Sequence, residues 1–475
     1  MKTLKLFLLV SLILLGNFII VESSFVKTST FTGLEDTITQ FSTNILLTTS
    51  DDKYPEHVEP SLAIGENDQL FVGWKEAQTP ISAGLDVSFS SSIDNGLTWS
   101  TPISMPSNIS KTNYKSDPWL VIHDNIIYYS YLDYFSINSN ITQITLAKSI
   151  DGGQTWVTSK ASANKYFADK ETFIVSPNGT IFLVYDDVDV SMNLTVVKFS
   201  KSTDGGKIFE ETKISDASAT DILGPYPAKS SNQTIFVSWL NIIDSTNVLG
   251  DIFWDYSTDQ GSTFHTDRDL NPETNFGTYI GDNTQAGKST LPVMKFDSKD
   301  RLYILWTEFN GKWKVYLRYS DDFGKHWSDK ISVHENPLSS QWLPDMAIDS
   351  NDEVHLVWYE ELNSQYRPYY KTITFSGNNR SVMTSSEVIA VANAFTSSDF
   401  TRPGDYCALR VDSNDIPHIV WTDGRSGHLD IFYAHGLKTE NSSSNLNISG
   451  FTVTLFPSIA FAIVIKYKKR KRKNS

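Results

Sequence analysis

Carboxylates recur in this sequence at two kinds of position from which they could act together. One set opens short apolar runs: Glu59, Asp117, Asp169, Glu171, Asp345 and Asp405. The other closes the run that follows: Glu76, Asp133, Asp186, Asp187, Glu308, Glu360, Glu361 and Asp423. A loop end is polar in any protein, so each acid alone carries little, and it is their grouping that bears weight. Carboxylates gathered on one face can hold a hard cation such as Ca²⁺, or supply the acid–base pair that cleaves a glycosidic bond. Arginine is the second resource, because its fork matches a planar carboxylate. Outside the basic tail the arginines are Arg268, Arg301, Arg318, Arg367, Arg380, Arg402, Arg410 and Arg425, and of these Arg367, Arg402 and Arg425 fall near the same run ends. The histidines lack paired metal-ligand spacing, and the sequence contains neither a P-loop nor a serine elbow.

The elements that must position these acids are repeated. Glu59 to Trp74 reads as strand, turn, strand, and the same pattern returns at Asp117 to Tyr131, Glu171 to Tyr185, Pro227 to Trp239, Pro292 to Trp306, Pro344 to Trp358 and Tyr406 to Trp421, seven units in all. A second motif follows in five of them: Ser92 to Trp99, Ser149 to Trp156, Ser202 to Phe209, Ser257 to Phe264 and Ser320 to Trp327. Its aspartates, Asp94, Asp151, Asp204, Asp259 and Asp322, lie 57, 53, 55 and 63 residues apart. In a hairpin turn such an Asp accepts backbone N–H groups, Gly supplies a positive φ and the last aromatic buries against a neighbour. That is a structural role rather than a catalytic one.

Short strands repeating about every 50 residues are the signature of a propeller. Each unit reads as a four-stranded meander, a–b–c–d, with the Asp turn between c and d. The expected fold is therefore all-β, a seven-bladed β-propeller over residues 24–437. The seventh unit lacks a fourth strand, and Asn44 to Thr48 resembles the other d strands, so the N-terminal segment is expected to close the ring. In a meander the a–b and c–d turns share one face and the other connections share the opposite face. The acids then converge on the axis, away from the Asp turns, and the expected binding set is Glu59, Asp117, Asp169, Glu171, Asp345, Arg402, Asp405 and Asp423. His355 and His418 occupy an aromatic packing register and read as core. Trp74, Trp239, Trp306, Trp358 and Trp421 read as blade packing, while Trp119, Trp254, Trp313 and Trp342 are less regular and are candidates for sugar-stacking platforms.

The pattern S-x-D-x-G-x-T-[WF] is similar to the Asp-box, or BNR, repeat of the sialidase-like propellers, and the likeness covers roughly residues 40–437. The resemblance implies that the boxes lie away from the active centre. It also implies, if the chemistry is retained, three arginines clamping a carboxylate, a Tyr–Glu nucleophile pair and an Asp acid. Arg367, Arg402 and Arg425 would be the clamp, with Asp117, Glu171 or Asp405 as acid or nucleophile. The chain departs from that branch in three ways. Sialidases have six blades, which keeps a six-bladed ring as the alternative. Their early Arg-Ile-Pro signature is absent, and Arg402-Pro403-Gly404-Asp405 lies at the wrong end of the chain. An acidic funnel also repels an anionic sugar. A binding module for glycans or surface proteins thus stands ahead of a sialidase-like exo-glycosidase.

The net charge of −15 over 475 residues argues against a nucleic-acid partner. The single cysteine, Cys407, rules out an intramolecular disulfide and reads as a small buried residue. Lys2 and Lys5 precede an apolar run from Leu6 to Val21, the pattern of a signal peptide over 1–23, with an uncleaved anchor as the alternative. Residues 438–450 read as a Ser/Asn-rich stalk, 451–465 as a short transmembrane helix and 466–475 as a basic cytoplasmic tail. The expectation is export and a single-pass anchor that holds the propeller at the cell surface. Sequons at Asn108, Asn140, Asn178, Asn193, Asn232, Asn379, Asn441 and Asn447 agree with export.

Overall fold

The computed structural model describes residues 37–439 except 49–52, 80–83, 110–113, 137–138, 164, 193, 217–220, 245–248, 273–277, 280–290, 310, 377–381 and 396–403, with three short pieces at 444–448, 451–455 and 464–467. Residues 38–438 form one compact unit. The signal segment, Arg402, Arg380, the sequons at Asn193, Asn379 and Asn441 and most of the basic tail lie outside the described residues.

The compact unit is a seven-bladed β-propeller of antiparallel blades, which removes the six-bladed alternative. Blade 1 is built from Glu56–Ile64, Leu70–Ala77, Gly84–Ser92 and Ile103–Ser104, innermost to outermost. Blade 2 uses Lys115–His123, Ile126–Tyr134, Thr142–Ser149 and Val157–Lys160. Blade 3 uses Phe167–Val175, Ile181–Asp189, Leu194–Ser202 and Glu210–Lys213. Blade 4 uses Asp221–Lys229, Ile235–Asp244, Leu249–Ser257 and Arg268–Asp269. In blade 5 they are Val293–Phe296, Leu302–Phe309, Trp313–Ser320 and Ile331–Ser332, and Thr278–Tyr279 bridges blades 4 and 5. Blade 6 has Ser340–Ile348, Val354–Leu362, Gln365–Ser376 and two outer pieces, Val382–Ser385 and Ile389–Ala390. Blade 7 has Ala408–Val411, Pro417–Asp423 and Asp430–Thr439, and its outer edge is supplied by Thr37–Phe41 and Ile45–Leu46. The expected closure therefore occurs, over a longer segment than Asn44 to Thr48. Ile45 pairs with Tyr433 and Leu46 with Phe432, so the first and last parts of the ring share one sheet.

Two girdles lock neighbouring blades on the face of the Asp turns. In the first, the terminal aromatic of each turn packs on strand c of the preceding blade. Trp156 meets Phe89 at 5.0 Å, Phe264 meets Phe199 at 5.1 Å, Trp327 meets Trp254 at 5.8 Å and Trp99 meets Tyr433 across the closure at 5.2 Å. The turn glycine must be bare for this approach. A Cβ on Gly153 would sit 2.5 Å from the Phe89 ring, and one on Gly261 would sit 2.1 Å from Phe199. Within each turn the Asp collects its own bonds: Asp151 accepts from Ser149 Oγ, Gln154 N, Thr155 N and Thr155 Oγ1 at 2.6–3.1 Å.

The second girdle joins the a–b turns, and the sequence reading missed it. Asp68 accepts from Ser413 N and Oγ, Asp415 from Ser350, Asp352 from Ser298 and Asp300 from Ser231, each from the preceding blade. Its trace was present as Asp-Ser-x-Asp at 297–300, 349–352 and 412–415. These four aspartates adopt φ of 55° to 63°, a left-handed conformation that Asp tolerates better than most residues.

Of the segment expected as stalk, helix and tail, the described residues form a three-stranded sheet of Ser444–Ile448, Phe451–Leu455 and Val464–Tyr467. Thr452, Val453, Thr454, Val464 and Ile465 are β-branched, which favours strand over helix. Among the described residues no helix is long and apolar enough to cross a membrane.

Candidate axial site

Strand a carries a β-bulge in blades 1, 2, 3, 4 and 6, where pairing with strand b skips two residues. The first skipped residue has positive φ: Glu59 at 58°, Asp117 at 53°, Lys170 at 51°, Gly224 at 59° and Leu343 at 47°. The second is Pro60, Pro118, Glu171, Pro225 or Pro344. Proline fits because the bulge frees its nitrogen from the ladder, and bulges of this kind re-aim side chains near functional sites. By register the corresponding pairs in blades 5 and 7 are Leu291-Pro292 and Tyr406-Cys407. Each blade thus places one residue at an axial position, and in blade 4 that residue is a glycine. A non-glycine residue held left-handed costs about 1–3 kcal/mol, and here the strain recurs blade after blade.

The seven axial positions divide into two halves. Blades 1–3 contribute Glu59, Asp117 and Lys170, whereas blades 4–6 contribute Gly224, Leu291 and Leu343, and Tyr406 of blade 7 stands between them. The charged half gathers Asp169, Glu171, Asp186, Asp405 and Lys75 around it. Lys75 Nζ reaches Glu59 Oε1 at 3.2 Å, and Lys170 pairs with Asp405. Glu59, Glu171 and Asp186 are 1%, 1% and 0% exposed. Both oxygens of Glu171, both of Asp186 and Oε2 of Glu59 have no hydrogen-bond partner. Buried polar groups without partners are rare in folded proteins and call for an explanation.

Electrostatics follow from this crowding. Burial raises Glu59 to about 7, with Lys75 opposing and Asp117 and Asp405 adding to the rise. Burial likewise raises Asp169 to about 7, helped by Asp117 and opposed by Lys170. Glu171 and Asp186 are pushed well above the carboxylate range, again chiefly by burial. The Tyr134 and Tyr406 hydroxyls are raised by burial and then by Asp117 and its neighbours. Several of these acids therefore hold protons at neutral pH, which suits hydrogen-bond donation and general-acid work.

Beside the acids the axis opens into a small cavity of about 40 Å³, lined among others by Trp119, Lys170, Tyr226, Leu291, Leu343 and Asp405. That is room for about three waters, so one substituent of a ligand can enter but a sugar ring cannot. Trp119 packs edge-on against Tyr226 at 5.7 Å and Tyr406 at 5.9 Å. One wall is thus aromatic and aliphatic, and the other is charged.

The structure sorts the expected residues. It brings together Glu59, Asp117, Asp169, Glu171 and Asp405 with Asp186, and it adds Lys75 and Lys170, which a search for acids and arginines passes over. Other acids are engaged in their own blades or in contacts with the adjoining one. Glu76 accepts the Trp74 indole N–H at 2.8 Å and Asp423 that of Trp421 at 3.0 Å, while Glu360 binds His334 and Asn336 at 2.8 Å. Asp133 holds Ser107, Asn108 N and Thr145, and Lys330 caps Glu308. Asp345 accepts from Leu409 N at 2.8 Å and from Arg410, joining blades 6 and 7. Asp187 is a buried carboxyl raised to about 6 by burial, and Glu361 is partly exposed at the end of its strand.

Of the expected arginine clamp, Arg425 is tied to Asp423 and Asn44, Arg367 lies over the Tyr369 ring at 5.6 Å, and Arg402 is outside the described residues. The cations on the axis are lysines. Among the described residues the axial carboxylates do not form a group of three ligand atoms within 4.8 Å of one another, and two ammonium groups sit among them. Among the candidate platforms, Trp119 lines the cavity, whereas Trp254, Trp313 and Trp342 are buried in the blades. Cys407 and both core histidines are buried as expected; His355 and His418 each meet a tyrosine hydroxyl at 2.7 Å.

No known protein family matches the sequence, and no curated protein does. Solved structures do. An ulvan lyase of a new polysaccharide lyase family superposes with TM-score 0.53 at 11% identity, over 80% of this chain and 94% of that one. An α-L-arabinanase of Penicillium chrysogenum, complexed with arabinobiose, gives 0.49 at 12% identity over 83% and 98%. A leech intramolecular trans-sialidase gives 0.43 at 12% identity over 84% and 70%. The ulvan lyase bears out the propeller fold, and the named neighbours are glycan-acting enzymes.

Proposed function

We propose that this chain is a glycan-binding propeller of the Asp-box, sialidase-like kind, which uses the axial acid–lysine cluster and the adjoining aromatic wall as its ligand site. The observation that carries the reading is the set of buried carboxylate oxygens without a hydrogen-bond partner, both of Glu171, both of Asp186 and Oε2 of Glu59, in a cluster beside Trp119 and Tyr406. A sugar offers what such a site lacks, hydroxyls for the acids and an apolar C–H face for the aromatic wall. The small cavity implies that one substituent inserts while the ring rests at the rim. The glycan-acting names among the fold neighbours support this reading.

The test is binding of the full chain to an immobilised glycan panel, repeated with Glu171→Gln. Loss of the signal by 10-fold or more, with thermal stability kept or raised, is the expected result. No bound glycan, or binding unchanged in the variant, would overturn the proposal. A second reading, a sialidase-like exo-glycosidase, is favoured by one observation: Glu59 and Asp169 titrate near 7 and can donate protons. Turnover of a fluorogenic glycoside, with a pH inflection near 7 that Glu59→Gln removes, would establish it in place of simple binding.

We also propose export to the cell surface, where a surface glycan or protein would be the partner. The apolar leader supports this, and so do the exposed sequons Asn108, Asn140, Asn178 and Asn232. Attachment through residues 451–473 requires the strands at 451–455 and 464–467 to give way to helix in lipid. Protease treatment of sealed microsomes tests it: the propeller should be protected and a C-terminal epitope digested, and protection of that epitope would exclude a single-pass anchor with a cytoplasmic tail.

A further inference from the structure

On the opposite face of the propeller, the a–b turn of blade 6 gathers Asp349, Glu353 and His355, whose ligand atoms all lie within 4.8 Å of one another. From this geometry we propose a binding site for a single divalent transition ion of the Zn²⁺ type. His355 Nε2 stands 3.4 Å from Asp349 Oδ2 and 3.9 Å from Glu353 Oε2. Four ligands at the usual Zn–N and Zn–O lengths stand about 3.4 Å apart along the edges of their tetrahedron. The nitrogen is buried, on a residue 1% exposed, and makes no hydrogen bond of its own.

Each candidate ligand is also fixed from behind. Asp349 spends Oδ1 on the N–H groups of Asn351 and Glu353 at 2.9 and 2.8 Å, which leaves Oδ2 for an ion. Glu353 Oε1 accepts from Thr374 Oγ1 at 2.8 Å, which leaves Oε2. His355 Nδ1 meets the Tyr370 hydroxyl at 2.7 Å, the outer contact that orients a ligating imidazole. Three protein ligands with a partly exposed Glu353 leave a fourth position for water.

The ring supplies its own control. Blade 7 repeats the frame with Asp412, His418 and Tyr433, but Ile416 stands where blade 6 has Glu353. There His418 Nε2 hydrogen-bonds to Asp412 Oδ2 at 3.3 Å and the cluster is complete without an ion. Blade 5 has Tyr303 bonded to Asp297, with Arg301 at the glutamate position. The Asp–His pair is alike in the two blades, 3.4 Å in blade 6 and 3.3 Å in blade 7, and what blade 6 adds is Glu353 as a third ligand.

The experiment strips the full chain with a chelator, returns Zn²⁺ and measures bound metal by mass spectrometry. Co²⁺ substitution reports geometry through the intense visible band of four-coordinate cobalt. One equivalent and that band are expected. Glu353→Ile, which copies blade 7, and the milder Glu353→Gln should weaken binding by about 100-fold or more, beyond the 10–100-fold typical of outer-contact losses. Glu171→Gln on the axis should leave the metal content unchanged, so this proposal stands or falls apart from the glycan site. Absence of retained zinc, or equal zinc in wild type and Glu353→Ile, would overturn it.

Discussion

Two populations of carboxylates, one in the Asp turns and one on the axis, show how differently a single fold can treat the same group. The turn aspartates are exposed or nearly so, and each is ringed by donors. Hydrogen bonds from Thr98 and Ser92 hold Asp94 at about 2, those from Thr155 and Ser149 do the same for Asp151, and those from Thr263 and Ser257 for Asp259. The axial acids have little water and few donors, and burial lifts Glu59 and Asp169 to about 7. The first arrangement is what a structural carboxylate looks like: met by several nearby donors and held charged. The second is costly to fold and gains nothing for the blades, so selection for a ligand is the natural account of it. The lesson is that carboxylate content alone marks no site in this molecule; the state of satisfaction does.

The largest effect should come from breaking the axial compensation. Lys170→Met leaves Asp405 buried without its cation, and removing one partner of a buried pair costs about 3–5 kcal/mol. Urea denaturation measures it, and a loss under 1 kcal/mol would mean that water already screens the pair. The counterpart on the turns is Gly261→Ala. It adds a left-handed non-glycine residue and drives a Cβ to within 2.1 Å of Phe199, for a cost of about 3 kcal/mol. Glycan binding should survive this second change in whatever fraction remains folded, since the turn lies on the face away from the axis.

The next effect separates the two populations by sign. Glu59 and Asp169 bind protons more tightly folded than unfolded, so their contribution is complete below the ordinary carboxylate range, at about pH 4, and is lost as pH rises through about 7. Asp94, Asp151 and Asp259 do the reverse: their contribution is complete above about pH 4 and is lost as pH falls through about 2. Thermal unfolding across pH should therefore show stability declining between about 4 and 7, and a separate acid collapse near 2. Glu59→Gln combined with Asp169→Asn should flatten the first limb and leave the second. A double variant with an unchanged neutral limb would show that these groups do not hold their protons.

The ring was readable from sequence because each blade repeats its turn chemistry. Ser92-Ile93-Asp94-Asn95-Gly96 and its copies mark period and strand order, and the missing fourth strand of unit seven pointed to N-terminal closure. The axis was only half readable. Glu59, Asp117, Asp169, Glu171 and Asp405 follow from strand starts, but what aims their neighbourhood inward is the bulge, and a bulge shows only in the register. Its faint trace is the proline after the left-handed residue at 60, 118, 225 and 344, and aligning the units on those prolines would also have brought Lys170 into the set. Asp345 and Asp423 misled because a strand-end acid can equally accept an N–H from its own or the next blade, and the sequence does not say which. Residues 451–465 were read as a helix from an apolar run followed by a basic cluster, while the β-branched residues at 452–454 and 464–465 suit the strands described at 451–455 and 464–467.

The smallest expected effect bears on the enzyme reading. In a sialidase-like site the clamp arginines converge on the ligand carboxylate, and truncating one removes a charge-assisted bidentate contact. Here the Arg425 guanidinium is already engaged by Asp423 and Asn44, and Arg367 lies over Tyr369 of its own strand in blade 6. Neither is available to reach the axis without giving up those contacts. Arg367→Ala should therefore change glycan binding by less than about 2-fold and stability by less than about 0.5 kcal/mol, as for most surface changes. Arg425→Ala should be somewhat more destabilising, because it leaves the buried Asp423 with the Trp421 indole as its remaining side-chain donor among the contacts described. A 10-fold loss of binding in either variant, with the fold intact by circular dichroism, would place the ligand on blades 6 and 7. The charged half of the axis would then be a structural plug, and the contrast drawn between the two carboxylate populations would lose its functional meaning.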